Sequence, residues 1–171
     1  MYRLYRLVLP VTLALLTACS NYNVSVNDRV VYTPLPLFSD YQLSDDSLAG
    51  CVQQTISDEK ITSARDLTRL RCTSAGIKDL SGIEKFAALE QLDLSDNELG
   101  NIAPLAKLGR LNLLLLRNNQ LDDLSPLLPL LKLTDLNIEE NPDINCTDVA
   151  QIRANIKDNN GRLLSGETCA N

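Results

Sequence analysis

From Leu67 to Ile144 the chain repeats itself every 22 residues. The frame is Leu-x-x-Leu-x-Leu-x-x-Asn-x-Leu-x-x-Leu-x-x-Leu-x-x-Leu-x-x. One copy fills it with Leu89, Leu92, Leu94, Asn97, Leu99, Ile102, Leu105 and Leu108. The next fills it with Leu111, Leu114, Leu116, Asn119, Leu121, Leu124, Leu127 and Leu130, with no insertion between them. Leucine abundance alone does not place Asn97 and Asn119 in phase. A copy this short cannot bury its own apolar side chains, so neighbours must stack. Stacking builds an extended surface rather than a single cleft.

Spacing inside each copy gives the local structure. Leu92 and Leu94 are two apart and share one face of a strand. From Leu99 onward the apolar spacing is three, which suits a 3₁₀-like turn or a short helix on the far side. Pro104 and Pro126 fall at the same phase, where the first turn of such a segment does not need their missing N–H. The in-phase asparagines are predicted to bond backbone groups at the bend after each strand. The outer copies are degenerate. The first reads Leu67, Leu70, Cys72, Ala75, Ile77, Leu80, Ile83 and Phe86. The last reads Leu133, Leu136, Ile138, Asn141 and Ile144, then Cys146 at the next inward slot. End repeats differ because they must seal an open core from water.

The pattern resembles the leucine-rich repeat family, in particular the short 22-residue bacterial class that includes internalin-like proteins. The resemblance covers Leu67 to Ile144 well and Asp45 to Cys169 more loosely. It implies an α/β solenoid, curved, with a parallel β-sheet on the concave side. Flanking segments are expected to be helical caps, 45–66 and 145–171. Asp45, Asp46 and Ser47 offer N-cap oxygens. Leu48, Val52 and Ile56 then form one apolar stripe, with Cys51 beside it. At the other end Thr147 is expected to cap a helix carrying Val149, Ile152 and Ile156, and Asn159-Asn160-Gly161 to turn the chain.

The N-terminus reads as an export signal over residues 1–18. Arg3 and Arg6 are basic, and Leu7 to Leu16 is an apolar core too short to span a bilayer. Leu16-Thr17-Ala18-Cys19 resembles the lipobox of bacterial lipoproteins, which implies cleavage before Cys19 and lipid on its sulfur. By the same resemblance, Ser20 implies the outer membrane, since aspartate there would imply inner-membrane retention. Several acyl chains anchor stably where one does not. Residues 19–44 then read as a lipidated N-terminus and tether, within which Val24, Val26 and Val30-Val31-Tyr32 are candidates for an edge strand. The formal charge is −6 before cleavage and more negative once Arg3 and Arg6 are lost. That balance argues against nucleic acid and against a polybasic membrane patch.

There are five cysteines. With Cys19 lipidated, four remain and three pairings exist. Cys51 lies beside the apolar stripe of the first helix and Cys72 is an inward strand position of the first copy. Cys146 takes an inward slot after the last copy, and Cys169 ends the C-terminal segment. The frame therefore predicts Cys51–Cys72 and Cys146–Cys169, which an oxidising periplasm permits. The alternative is four buried free thiols. Zinc is disfavoured by the absence of Cys-x-x-Cys and of any histidine.

Histidine and tryptophan are absent and the one methionine is Met1, which excludes histidine-based triads and haem ligation through histidine. No phosphate-binding glycine motif appears, and no cofactor is expected. Asp93, Asp96, Asp122, Asp123, Asp135, Glu139 and Glu140 supply carboxylates, and a pair of carboxylates hydrolyses glycosides. These lie in variable slots that are normally solvated, so the chain is not read as an enzyme. A calcium site on Asp93, Ser95 and Asp96 is weakly indicated. Asn23-Val-Ser25 and Asn145-Cys-Thr147 match the glycosylation pattern, which a bacterial lipoprotein does not support.

Strand alternation defines the concave face. Outward positions are Arg69, Arg71 and Thr73, then Gln91, Asp93 and Ser95, then Leu113, Leu115 and Arg117, then Asp135, Asn137 and Glu139. Arg71 is placed to reach Asp93, and Arg117 to reach Glu139. Leu113 and Leu115 put apolar side chains in water near the middle, the arrangement of a binding patch. The expected function is a protein-interaction module on the outer membrane. The alternatives are an envelope-maintenance lipoprotein without a single tight ligand, and a carboxylate-based glycan hydrolase. If the Val24–Tyr32 segment folded back, it would cover the leucines.

Overall fold

The computed structural model describes residues 24–27, 29–33, 35–166 and 169. Cys19 and the export signal lie outside them. The chain divides into two compact units, Met1–Leu35 and Pro36–Asn171. In the first, strands β1 (Val24–Val26) and β2 (Arg29–Tyr32) pair antiparallel around Asn27, which takes left-handed backbone at φ 52°. The valine-rich segment expected as an edge strand therefore pairs with itself and is not part of the repeat sheet.

The second unit is a short leucine-rich repeat solenoid. Helix α1 (Asp46–Glu59) comes first, followed by strands β3 (Arg69–Arg71), β4 (Gln91–Asp93), β5 (Leu113–Leu115) and β6 (Asp135–Asn137). Helix α2 (Cys146–Asp158) leads to β7 (Arg162–Leu164). The five strands β3 to β7 form one sheet in sequence order, each pair parallel. Register is unbroken, so Leu70, Leu92, Leu114, Leu136 and Leu163 stand in one row. Between successive strands the chain returns through 3₁₀ turns at Ile83–Phe86, Ala103–Lys107 and Ser125–Leu127. Pro104 and Pro126 occupy the first turns of the second and third.

The frame explains the core. The apolar frame positions of the two central copies are all buried, and Leu48, Val52 and Ile56 of α1 join the same cluster as Val149, Ile152 and Ile156 of α2. Position thirteen of the first three copies turns the chain ahead of the 3₁₀ segment. Asp79, Asn101 and Asp123 accept from the backbone N–H of Ser81, Ala103 and Ser125 at 2.9, 2.9 and 2.8 Å. These are Asx turns, which explains a short polar side chain there. Position eight is more demanding. Ser74, Asp96, Asn118 and Glu140 all take positive φ, between 52° and 60°, at the bend after the strand. Side chains rarely adopt that backbone, and Asp and Asn tolerate it best.

Three expectations are corrected. Residues 36–44 are not a free tether. Leu37, Phe38, Tyr41 and Leu43 pack on the core, and Phe38 and Tyr41 form edge contacts with the buried Phe86 at 6.3 and 5.3 Å between ring centroids. Burial pushes the Tyr41 phenol above its ordinary pKa. The strap is tied down by Phe38 N–H to Ile61 O at 2.9 Å, Ser44 N–H to Ser81 O at 3.2 Å and Lys85 Nζ to Asp40 at 2.9 Å. Its apolar residues bury too much surface to remain a solvated linker. Secondly, α2 is capped by Asn145, whose side chain accepts from Thr147 N–H at 3.0 Å. Thr147 is already inside the helix. Thirdly, Cys146 is exposed at the first position of α2, because the chain leaves the repeat path at Ile144.

Two disulfides join Cys51 to Cys72 and Cys146 to Cys169, with Cα separations of 5.9 and 5.4 Å. The first links α1 to the strand-end of the first copy, where Cys72 is buried. The second returns the C-terminal segment to the start of α2. Arg153 reinforces that return by donating to Cys169 O at 3.0 Å and Ser165 Oγ at 3.2 Å.

Candidate functional site

The asparagines hold the bend that sets the strand ends. Asn97 Oδ1 accepts from Ala75 and Ile77 N–H at 3.1 and 3.0 Å, and its Nδ2 donates to Cys72 O and Leu94 O at 2.8 and 2.9 Å. Asn119 Oδ1 accepts from Leu99 N–H at 3.0 Å, and Nδ2 donates to Leu94 O and Leu116 O at 3.1 and 3.0 Å. Asn141 repeats this with Leu121 N–H, Leu116 O and Ile138 O. Each amide thus ties its own copy to the one before. Among the described residues no buried side-chain nitrogen or oxygen lacks a partner, so the hydrogen bonds of the ladder offset the cost of burying its amides.

That sheet presents two parallel rows on its open face. Register aligns Arg69, Gln91, Leu113, Asp135 and Arg162 in one row, and Arg71, Asp93, Leu115, Asn137 and Leu164 in the other. The last strand adds Arg162 and Leu164 to the face. Sequence reasoning missed both, since β7 carries no copy of the frame. The turn at Asn159-Asn160-Gly161 was the signal that the chain reverses there, but it does not say into what.

Leu113 and Leu115 are half-buried, a correction to the expectation of leucines standing in water. Neighbouring strands lie about 4.8 Å apart, so Gln91 and Asp135 flank Leu113 closely, and Asp93 and Asn137 flank Leu115. Among the described residues, the large apolar ones that do stand exposed are Leu35 and Leu131. The two leucines form part of the floor of a depression of about 490 Å³ over β3, β4 and β5. Arg69, Arg71 and Asp93 line it from the strands, and Thr55 and Glu59 from α1.

Charges on the face are arranged in pairs. Arg71 Nε lies 3.5 Å from Asp93 Oδ2, with the arginine side chain 79% exposed and the aspartate 14%. Asp93 also accepts from Ser95 N–H at 3.1 Å. Arg117 does not pair with Glu139. It bridges Glu140 at 2.7 Å and Asp96 at 3.2 Å, both at the left-handed position eight of neighbouring copies. Glu139 instead takes Asn137 Nδ2 at 3.3 Å and gives its N–H to Asn137 Oδ1 at 2.9 Å. Asp135 meets Thr134 Oγ1 at 3.1 Å and Arg162 at 3.7 Å. Solvent-exposed pairs like these contribute up to about 1 kcal/mol each, so they orient side chains more than they stabilise the fold.

A concave parallel sheet, a far side of short turns and a ladder of asparagines at three successive bends define a leucine-rich repeat solenoid of the internalin kind. The structure is similar to an internalin, InlF, from Listeria monocytogenes, with TM-score 0.64 and 26% identity over 74% of this chain. It is also similar to internalin C2 of the same organism, with TM-score 0.61 and 23% identity over 75% of this chain, which bears on the fold alone. This chain spans 37% and 59% of the lengths of those two proteins. No family model matches the chain, and no curated protein matches it.

Proposed function

We propose that this protein is an envelope-anchored interaction module. Its solenoid offers the concave face to a protein partner, and lipid on Cys19 holds it to a bacterial outer membrane. The observation that carries the binding reading is the depression over β3 to β5, where Leu113 and Leu115 lie among charged side chains. An apolar centre with a polar rim is the usual anatomy of a protein interface. Likeness to internalins supports a display surface of this type. The anchoring reading rests on the sequence: a basic start, a short apolar core, Leu16-Thr17-Ala18-Cys19 and then Ser20.

The test of the binding reading is Leu113→Ser combined with Leu115→Ser. Partner capture from crosslinked membranes is expected to fall while the melting temperature holds. Undiminished capture would place the binding surface elsewhere on the molecule.

A further inference from the structure

The depression is off-centre and its two ends differ in charge. It lies at the α1 end of the sheet, with Arg69 and Arg71 on its floor and Glu59 on the helix wall. Toward β6 and β7 the cations are engaged: Arg117 sits between Asp96 and Glu140, and Arg162 lies near Asp135. At the β3 end Arg71 has a single 3.5 Å contact from a largely exposed side chain. Arg69 has no ion pair or side-chain hydrogen bond among the described residues. The two arginines are alternate residues of β3, so both side chains leave the same face.

A guanidinium fork matches a carboxylate, and two side by side favour it further. Leu113 is in register with Arg69 across Gln91, and Leu115 with Arg71 across Asp93. Two strand spacings put leucines and arginines about 10 Å apart. An extended peptide rises about 3.3 Å per residue. On one face of a crossing segment, side chains two apart in a strand stand about 7 Å apart, and side chains three apart in a polyproline II segment about 9 Å, so either pair reaches over the arginines and the leucines. Glu59 and Asp93 line the same depression, so it accepts one carboxylate and repels a polyanion.

We infer that this depression is a subsite for a peptide segment in which one acidic side chain meets Arg69 and Arg71 and a large apolar side chain, two or three residues away, seats on Leu113 and Leu115. The inference rests on the concave-face reading above and names the chemistry of the partner.

The experiment is to pan a displayed library of random linear peptides against the full chain carrying Cys19→Ser. Two further forms are panned beside it, Arg69→Glu/Arg71→Glu and Leu113→Ser/Leu115→Ser, each with a thermal melt to establish folding. The parent is expected to enrich Asp or Glu two or three positions from a large apolar residue. A synthetic peptide of that sequence should bind the arginine variant at least about tenfold more weakly, because like charges meet in the interface. Replacing its acidic residue with lysine should restore binding to that variant. Enrichment without an acidic residue overturns the subsite, and so does affinity unchanged in the arginine variant but lost in the leucine variant. Both of those outcomes leave the concave-face reading standing. Polyglutamate binding tighter than the peptide also overturns the subsite. Failure to enrich anything sensitive to either variant overturns the subsite and the reading beneath it.

Discussion

Asn119 serves two copies of the repeat with one amide. Its oxygen takes the N–H of Leu99, and its nitrogen supplies Leu94, Leu116 and Arg117 carbonyls at 3.0 to 3.3 Å. In Asn119→Leu those backbone groups stay buried and lose their partner. The expected cost is about 1–3 kcal/mol, read as a lower urea midpoint with an unchanged slope. An unchanged midpoint would mean that the amide ladder contributes nothing net. Asp45 is the second residue on which the fold leans. Burial penalises its carboxylate, but donation from the N–H groups of Lys78, Leu48, Asp79 and Ser47 outweighs that, and its pKa falls below the ordinary aspartate value. One oxygen caps α1 through Leu48 N–H at 3.0 Å while the other receives Lys78 N–H at 2.9 Å. A depressed folded-state pKa gives stability that is present above the unfolded value, near 3.8, and is lost as pH falls through the folded one. Asp45→Asn should therefore flatten the acid limb of the stability profile below about pH 4. Identical acid limbs in the two proteins would remove Asp45 from the account. The asparagines were legible in the sequence because a polar residue in phase with leucines has to be satisfied. The second role of Asp45 was not, because its partner Lys78 is 33 residues away and only packing brings them together. Arg117 was misassigned for a related reason. Alternation along a strand says which residues face out, whereas Glu140 and Asp96 reach Arg117 from left-handed bends that the alternation does not cover.

At the scale of elements, the period specified strands, turns and core, and its failures begin where the period stops. Strand β7 has three residues, follows a helix and carries no frame position, yet it completes the sheet through Arg162 N–H to Thr134 O at 2.7 Å and Ile138 N–H to Leu164 O at 2.8 Å. Gly161 permits the pairing, because a Cβ there would collide with the Thr134 carbonyl. Gly161→Ala is expected to cost on the order of 1–3 kcal/mol and to lower hydrogen-exchange protection at Ile138, with protection at Leu94 retained. Equal loss at both amides would mean that the strand is not a local unit. The strap at 36–44 escaped sequence reading because it has no periodicity to mark it; its aromatic residues meet Phe86 only after folding. At the N-terminal end, Cys51→Ser and Cys72→Ser remove one bond closing a separation of 21 residues. Each should cost about 3 kcal/mol in the chain-entropy account. The double variant should be little worse than either single one, since partners in one bond are not additive. Additive losses would show that the two cysteines act separately.

The whole molecule combines a solenoid with a proposed attachment, and the two make separable demands. Packing of the solenoid begins at Leu37 on the sequence side nearest Cys19, so the lipid reading can be tested without disturbing the fold. No helix among the described residues is long and apolar enough to cross a membrane. The proposed attachment is covalent, through several acyl chains on Cys19, which hold where a single chain does not. Wild type is expected to incorporate a fatty-acid analogue and to sediment with outer-membrane vesicles. Cys19→Ser should lose the label and leave the membrane fraction or accumulate as precursor, with its melting temperature unchanged. Ser20→Asp should keep the label and move to the inner membrane, which separates acylation from sorting. Protease treatment of intact cells then reports the direction in which the concave face looks: cleavage of wild type places it outside, and resistance until the membrane is opened places it within the periplasm. A wild-type protein that takes up no label sinks the anchor. It leaves the peptide-binding tests standing, because the residues those vary, Arg69, Arg71, Leu113 and Leu115, all belong to the second unit.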